Sequence, residues 1–174
     1  MSNPFFTATS FSNYLLTDTY AFAQLGGSSG TIMFNDSYIV YFTVIGGGGG
    51  GGGGGHNNGL NSPAYPSGGG GGAGAGGMIS YPVEPGKTYN YTIGSGGSGG
   101  EANLSGGNGL DTEISFSGTD YVISRGGTGG AGHYSGNIGG VGGSIDKSGV
   151  TTIIDGSGGN GGDGVFYTDI SGTG

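Results

Sequence analysis

The chain reads as all-β, with short antiparallel strands and hairpins combined with a bundle of polyglycine II helices, the glycine counterpart of polyproline II. Three observations predict this class. Glycine supplies 51 of 174 residues, against a usual share of about 7%. The apolar residues are gathered into short β-branched and aromatic blocks, as strands prefer. The glycine falls in tracts that alternate with those blocks.

Low apolar content, abundant glycine and a net charge of −8 are by themselves a signature of disorder. Segregation argues for order instead. Disordered chains are poor in aromatics, and this one has 11 Tyr and 8 Phe.

The elements follow in chain order. Residues 1–30 differ from the rest and read as an N-terminal arm or attachment segment, ahead of a glycine-rich β/polyglycine II domain over 31–174. Within the arm, Asn13 could cap a short helix over 14–25, and an extended segment fits equally well. Phe5, Phe6, Phe11, Tyr14 and Leu15 are its candidate contacts with a neighbouring protein. Strand-like blocks lie at 31–34, 38–45, 78–83, 88–93, 112–116, 121–124, 150–154 and 165–170. Pro82 makes the third an edge strand or shortens it. Turns at 35–37, 84–86 and 117–119 join successive blocks as hairpins, with Gly86 suited to positive φ.

Glycine tracts lie at 46–55, 68–77, 94–100, 126–132, 136–143 and 156–164, the first being ten consecutive glycines. The later ones follow a Gly-Gly-X triplet. Collagen is excluded, because it needs a long strict Gly-X-Y run rich in proline, and the chain has 5 Pro. A threefold left-handed helix has three residues per turn and no internal hydrogen bonds. Its N–H and C=O groups must therefore find partners elsewhere. Glycine tracts laid side by side can bond one another, because no side chain holds them apart. In Gly-Gly-X, two faces pack on neighbours and the third displays X. Ordering glycine is entropically expensive, so such a bundle needs a flanking apolar layer or partners.

The run from a strand into 46–55, the second tract at 68–77, the element Pro85-Gly86-Lys87-Thr88-Tyr89-Asn90-Tyr91-Thr92-Ile93-Gly94 and the closing Gly158-Gly159-Asn160-Gly161-Gly162-Asp163-Gly164-Val165-Phe166 resemble a known pattern. It is that of the glycine-rich domain family of phage tail fibres and large DNA virus particles. Ile93 stands where the pattern has Val. The resemblance implies a virion structural role, as a minor capsid, cement or fibre component. Tail-fibre adhesins of this kind read receptors with distal loops. This chain has no Trp.

Several chemistries are weighed and set aside. Lys and Arg number 3 against 11 Asp and Glu, so nucleic acid and anionic membranes are not expected partners. With no Cys, thiolate metal sites and disulfides are impossible. No secretory signal or apolar span is read, which suits synthesis in a host cytoplasm and residence in a virion. Gly86-Lys87-Thr88 lacks the earlier glycine of a phosphate loop, since Tyr81 stands there. The Gly-x-Gly-x-x-Gly match at 94–99 is expected by chance in so much glycine. The segment 155–163 faintly resembles a calcium repeat, but its acids are not iterated. His56 and His133 read as polar loop residues, and Arg125 as a solvated strand end or an interface ion-pair partner. No cofactor and no enzymatic activity are expected.

The segment between the two longest tracts is the candidate contact loop, through Asn57, Asn58, Leu60, Asn61 and Tyr65. A plain connector is the competing reading. The function expected is a non-enzymatic viral structural protein that packs against other virion proteins or against itself. The alternatives are a receptor-binding adhesin and an ice-binding protein. The latter needs a flat face of small side chains, whereas the X positions Thr128, Ala131, Val141, Ser144, Asn160 and Asp163 vary.

Overall fold

The structure, a computed structural model, describes residues 27–55 and 67–165. β-Branched and aromatic blocks become eight strands: β1 (Ser28–Met33), β2 (Tyr38–Ile45), β3 (Gly76–Val83), β4 (Thr88–Ile93), β5 (Thr112–Ser115), β6 (Tyr121–Ser124), β7 (Ile145–Ser148) and β8 (Thr151–Gly156). They form two antiparallel sheets, ordered β1-β4-β5-β6-β7 and β2-β3-β8.

Period-2 alternation sets which residues face inward. In β2, Phe42 and Val44 are buried while Ile39, Tyr41 and Ile45 are exposed. The two inner faces close on Phe42, Val44, Ile79, Val83, Tyr89, Ile114, Phe116 and Val122. Three of these eight are aromatic, and partly buried Phe34 and Tyr81 join their rings. Tyr81 stacks on Phe116 with centroids 4.2 Å apart, and Phe42 tilts against the same ring at 5.1 Å.

The Tyr81 hydroxyl donates to Asp120 Oδ2 at 2.9 Å. Burial, and then the bond to Asp120, push its pKa up to about 12 from 10.0. Between pH 10 and about 12 the unfolded chain releases this proton while the folded chain holds it. Stability should therefore fall as pH rises through that window. In urea unfolding at pH 9 and pH 11, Tyr81→Phe should show a smaller loss between the two pH values than the parent. An equal loss would show that this hydroxyl does not carry the effect.

The expected strands at 38–45, 88–93 and 121–124 match β2, β4 and β6, and β5 ends one residue before the expected 116. The first begins three residues earlier than 31, because Gly27, Ser28 and Ser29 still bond or pair with β4. β7 was not expected; Ile145-Asp146-Lys147-Ser148 holds a single aliphatic residue and is drawn into the sheet by pairing with β6. β3 is not an edge strand. It lies between β2 and β8, but β8 pairs only with residues 76–80. Pro82, opposite Ile39 of β2, therefore sits beyond the reach of the second ladder, where a missing N–H costs nothing. The helix or extended arm over 14–25 and most of the strand at 165–170 lie outside the described residues; Val165 is in no strand.

Two of the three expected hairpins are sheet crossings. β1 pairs with β4 and β2 with β3, so 34–37 and 84–87 carry the chain from one sheet to the other. Gly86 still adopts φ +71° at its turn. Only the turn between β5 and β6 closes a tight hairpin. The strands β2 and β3, β4 and β5, and β6 and β7 do pair, but each pair is joined at the far end of a glycine excursion. The repeating unit is strand, rod, turn, rod, strand.

Candidate functional site: the faces of the glycine bundle

Each strand from β2 to β8 continues directly into, or out of, an extended rod. The rods are rod 1 (46–55), rod 2 (67–75), rod 3 (94–102), rod 4 (103–111), rod 5 (125–132), rod 6 (137–144) and rod 7 (157–165). Rod 4 was not expected, because only Gly106, Gly107 and Gly109 mark it in the sequence.

Bonds between rods recur at every third residue, as a threefold helix requires. Gly46, Gly49 and Gly52 donate to the carbonyls of Ala75, Gly72 and Gly69 on rod 2, at 2.8–2.9 Å. Their successors Gly47, Gly50 and Gly53 donate to Leu110, Gly107 and Leu104 on rod 4. Rod 3 donates to Gly48 and Gly51, and rod 5 to Gly47 and Gly50. The same bookkeeping gives rod 2 four neighbours: rods 1, 5, 6 and 7. Rods 3, 1, 2 and 7 thus lie in one row, and rods 4, 5 and 6 nest beneath them. Rods 1, 2 and 5 each bond to four neighbours, and the ten-glycine run is one of these crowded rods. A Cβ on Gly46, Gly47, Gly49, Gly50, Gly52 or Gly53 would come closer than 3.0 Å to a backbone carbonyl of a neighbouring rod.

Hydroxyls clip the rods to the sheets. Ser124, fully buried, accepts from the Gly46 N–H at 3.0 Å and donates to the Ala75 carbonyl at 2.7 Å. Thr112 does the same for Gly94 and Ile45, at 3.0 and 2.7 Å. Thr112 thereby gives the Gly94 N–H a partner where a strand becomes a rod, and Ser124 adds a second bond to each member of the Gly46–Ala75 pair.

Side chains are displayed along the lower row and by rod 7 at the edge of the upper row. On rod 4, Ser105, Asn108 and Asp111 accept from the N–H groups of Gly132, Gly129 and Gly126 on rod 5. On rod 7, Asn160 and Asp163 accept from Gly142 and Gly139 on rod 6, both within 2.9 Å. The two stretches share one pattern, Ser-Gly-Gly-Asn-Gly-x-Asp at 105–111 and 157–163. This repeat was the signal that the sequence reading missed. Its acids and amides are spaced by three to cap a neighbouring rod; Asp163 takes an N–H, and Asp155, just ahead of the second copy, pairs with Lys147. Arg125 bridges Asp111 and Asp146 within its own chain, which keeps its guanidinium protonated more firmly than usual. It is therefore not a free interface partner. Lys87 pairs with Glu84 at 2.7 Å on the surface.

The outer face of the upper row is glycine-rich. Gly48, Gly51, Gly96, Gly99, Gly159 and Gly162 are exposed, and Ala73 contributes only a methyl. This surface continues onto the outer face of the three-stranded sheet. There Ile39, Tyr41 and Ile45 are 63–64% exposed and Ile154 is 57% exposed.

The far end of the bundle gathers the turns between rods. Asn103 bonds to Gly54 and His133 to Gly53, so the turns at 101–103 and 132–137 sit beside the end of rod 1. Asn103 (φ +67°) and Asn137 (φ +57°) take the left-handed conformation that reverses the chain. His133 lies in the 3-10 turn His133–Ser135, consistent with a loop residue. The candidate loop residues Asn57, Asn58, Leu60, Asn61 and Tyr65, His56 and the arm residues Phe5, Phe6, Phe11, Tyr14 and Leu15 lie outside the described residues. The flanks of the loop, Gly55 and Ser67, end rod 1 and begin rod 2 at this same far end.

No curated protein matches the chain. The family model described as "Glycine-rich domain" matches residues 24–174, which takes in both sheets and all seven rods. The chain belongs to the glycine-rich domain family.

Proposed function

We propose that this protein is a non-enzymatic structural component of a virus particle and acts by packing against other proteins. The observation that carries this reading is the continuous upper face, which joins the exposed glycines Gly48, Gly51, Gly96, Gly99, Gly159 and Gly162 to the exposed apolar side chains Ile39, Tyr41, Ile45 and Ile154 of the neighbouring sheet. Polypeptide can approach such a face to backbone distance. The sequence resemblance to virion glycine-rich domains supplies the setting, and the segment ahead of β1 would add an arm held by a neighbour. Quantitative cross-linking mass spectrometry of purified particles is the test. The chain should be present in fixed stoichiometry, with deletion of 1–25 abolishing its incorporation. Absence from the particles would overturn the reading.

A second reading, a receptor-binding fibre tip, is favoured by one observation: the turns between rods gather at a single end, together with both flanks of 56–66. Purified protein would then bind host cells, and Asn57→Ala, Asn61→Ala and Tyr65→Ala would abolish that binding. Undiminished binding by the triple variant would exclude this loop.

A further inference from the structure

The glycines of the bundle fall into two classes. Most rod glycines are demanded by the fold, since a Cβ would strike a neighbouring backbone. Six on the upper face are not. At Gly99, Gly159 and Gly162 a Cβ would meet nothing within 4 Å, and at Gly48, Gly51 and Gly96 the nearest atom lies at 3.6–3.8 Å. None of the six has the positive φ that favours glycine. Outward positions of the lower row, by contrast, carry Asn108, Arg125, Thr128, Ile138 and Val141. A residue that needs neither space nor backbone freedom, yet remains glycine across three rods of one face, signals close approach from outside.

From this we infer that the upper face is a two-fold interface between two copies of this chain; the inference rests on the packing function proposed above. The occupant is argued from three features. Gly48 and Gly51 donate to no described residue, so the upper row presents unused N–H groups at a three-residue period. The surface that matches this period is another layer of threefold rods, as the lower row already demonstrates on the opposite side. A second upper row offers the same period with only the Ala73 methyl on its central rods. The net charge of −8 per chain does not oppose the contact, because the six glycines and Ile39, Tyr41, Ile45 and Ile154 are uncharged. The size is also sufficient. Rods of about nine residues at about 3.1 Å each and strands of about eight residues at about 3.4 Å, spaced about 4.8 Å apart, give a face of about 900 Å². Stable interfaces bury about 800 Å² per partner. An isologous contact of this kind closes on itself and leaves no open end for fibre growth.

The test is sedimentation equilibrium of the full chain. The parent should have twice the monomer mass. Gly51→Glu with Gly99→Glu on the rods, and separately Tyr41→Asp on the sheet, should halve that mass with unchanged far-UV circular dichroism. Val141→Glu, on the opposite face, should leave the dimer intact. A monomeric parent at about 100 µM would overturn the inference. So would a dimer that survives both upper-face variants, or one that dissociates with Val141→Glu or with deletion of 1–25 while tolerating the upper-face variants. Cross-links from this face to a different protein in particles would also sink the dimer while leaving the packing function standing.

Discussion

Gly49→Ala should lower the melting temperature by about 6–12 °C. The methyl would be driven into the Thr128 carbonyl of rod 5, where no flexible side chain can yield. Overpacking a close-packed site costs about 1–3 kcal/mol and sometimes more, and here the obstacle is backbone. Displacement of rod 1 would also strain the Gly49–Gly72 bond, which is 2.8 Å long. The opposing gain from a stiffer unfolded chain is only about 0.4–1 kcal/mol. A net loss of about 3 kcal/mol, at about 2–4 °C per kcal/mol for a chain of this size, gives the expected range. Gly118→Ala, in the turn between β5 and β6 and away from the rods, is the matched control, because its Cβ enters open space. Measured by calorimetry, it should leave the melting temperature unchanged or raise it slightly. Equal destabilisation by both substitutions would mean that glycine acts through chain flexibility and not through contact between rods.

Tyr89→Ala should be similarly severe, at about 3–5 kcal/mol. Tyr89 is 1% exposed and is the largest fully buried side chain of the described core. Its ring meets Phe34 and Phe116 at 5.8 Å and Tyr81 at 6.2 Å. The seven rods bury almost no side-chain surface, so the sandwich core must supply most of the hydrophobic stabilisation. A total stability of about 5–15 kcal/mol is usual, and the loss of this ring would consume a large share. The hydroxyl contributes separately, by accepting the Glu84 N–H at 2.8 Å. Tyr89→Phe should therefore cost about 1–3 kcal/mol, clearly less than the alanine variant. Urea unfolding would rank the three proteins. Near-parental stability of Tyr89→Ala would show that the rods, and not the sandwich, dominate the energetics.

The hydroxyl clips explain how two such different textures share one fold. A strand bonds within one sheet, whereas a rod bonds in several directions around its axis. Ile45 and Gly46 stand where one scheme gives way to the other. Ser124 and Thr112 tie the backbone at that junction to the five-stranded sheet. Their roles were invisible in the sequence, because each joins residues 67 or 78 positions away.

What the sequence determined by itself was local. Blocks of β-branched and aromatic residues made strands at the positions read from their composition, and runs of glycine had to be threefold rods or loose chain. Gly86 marked its turn because only its freedom at positive φ was needed. Everything that depended on distant neighbours was decided by the tertiary structure. Rod 4 became a rod because rods 1, 3 and 5 offer it bonds, not because its composition demanded it. The strand pairing crossed the short turns because the chain returns to its own sheet only after each glycine excursion. The glycine-rich upper face and the laddered lower face carry similar Gly-Gly-X texture in one dimension. Which third residue points outward, and toward what, is set by the lateral packing of rods that lie far apart in the chain.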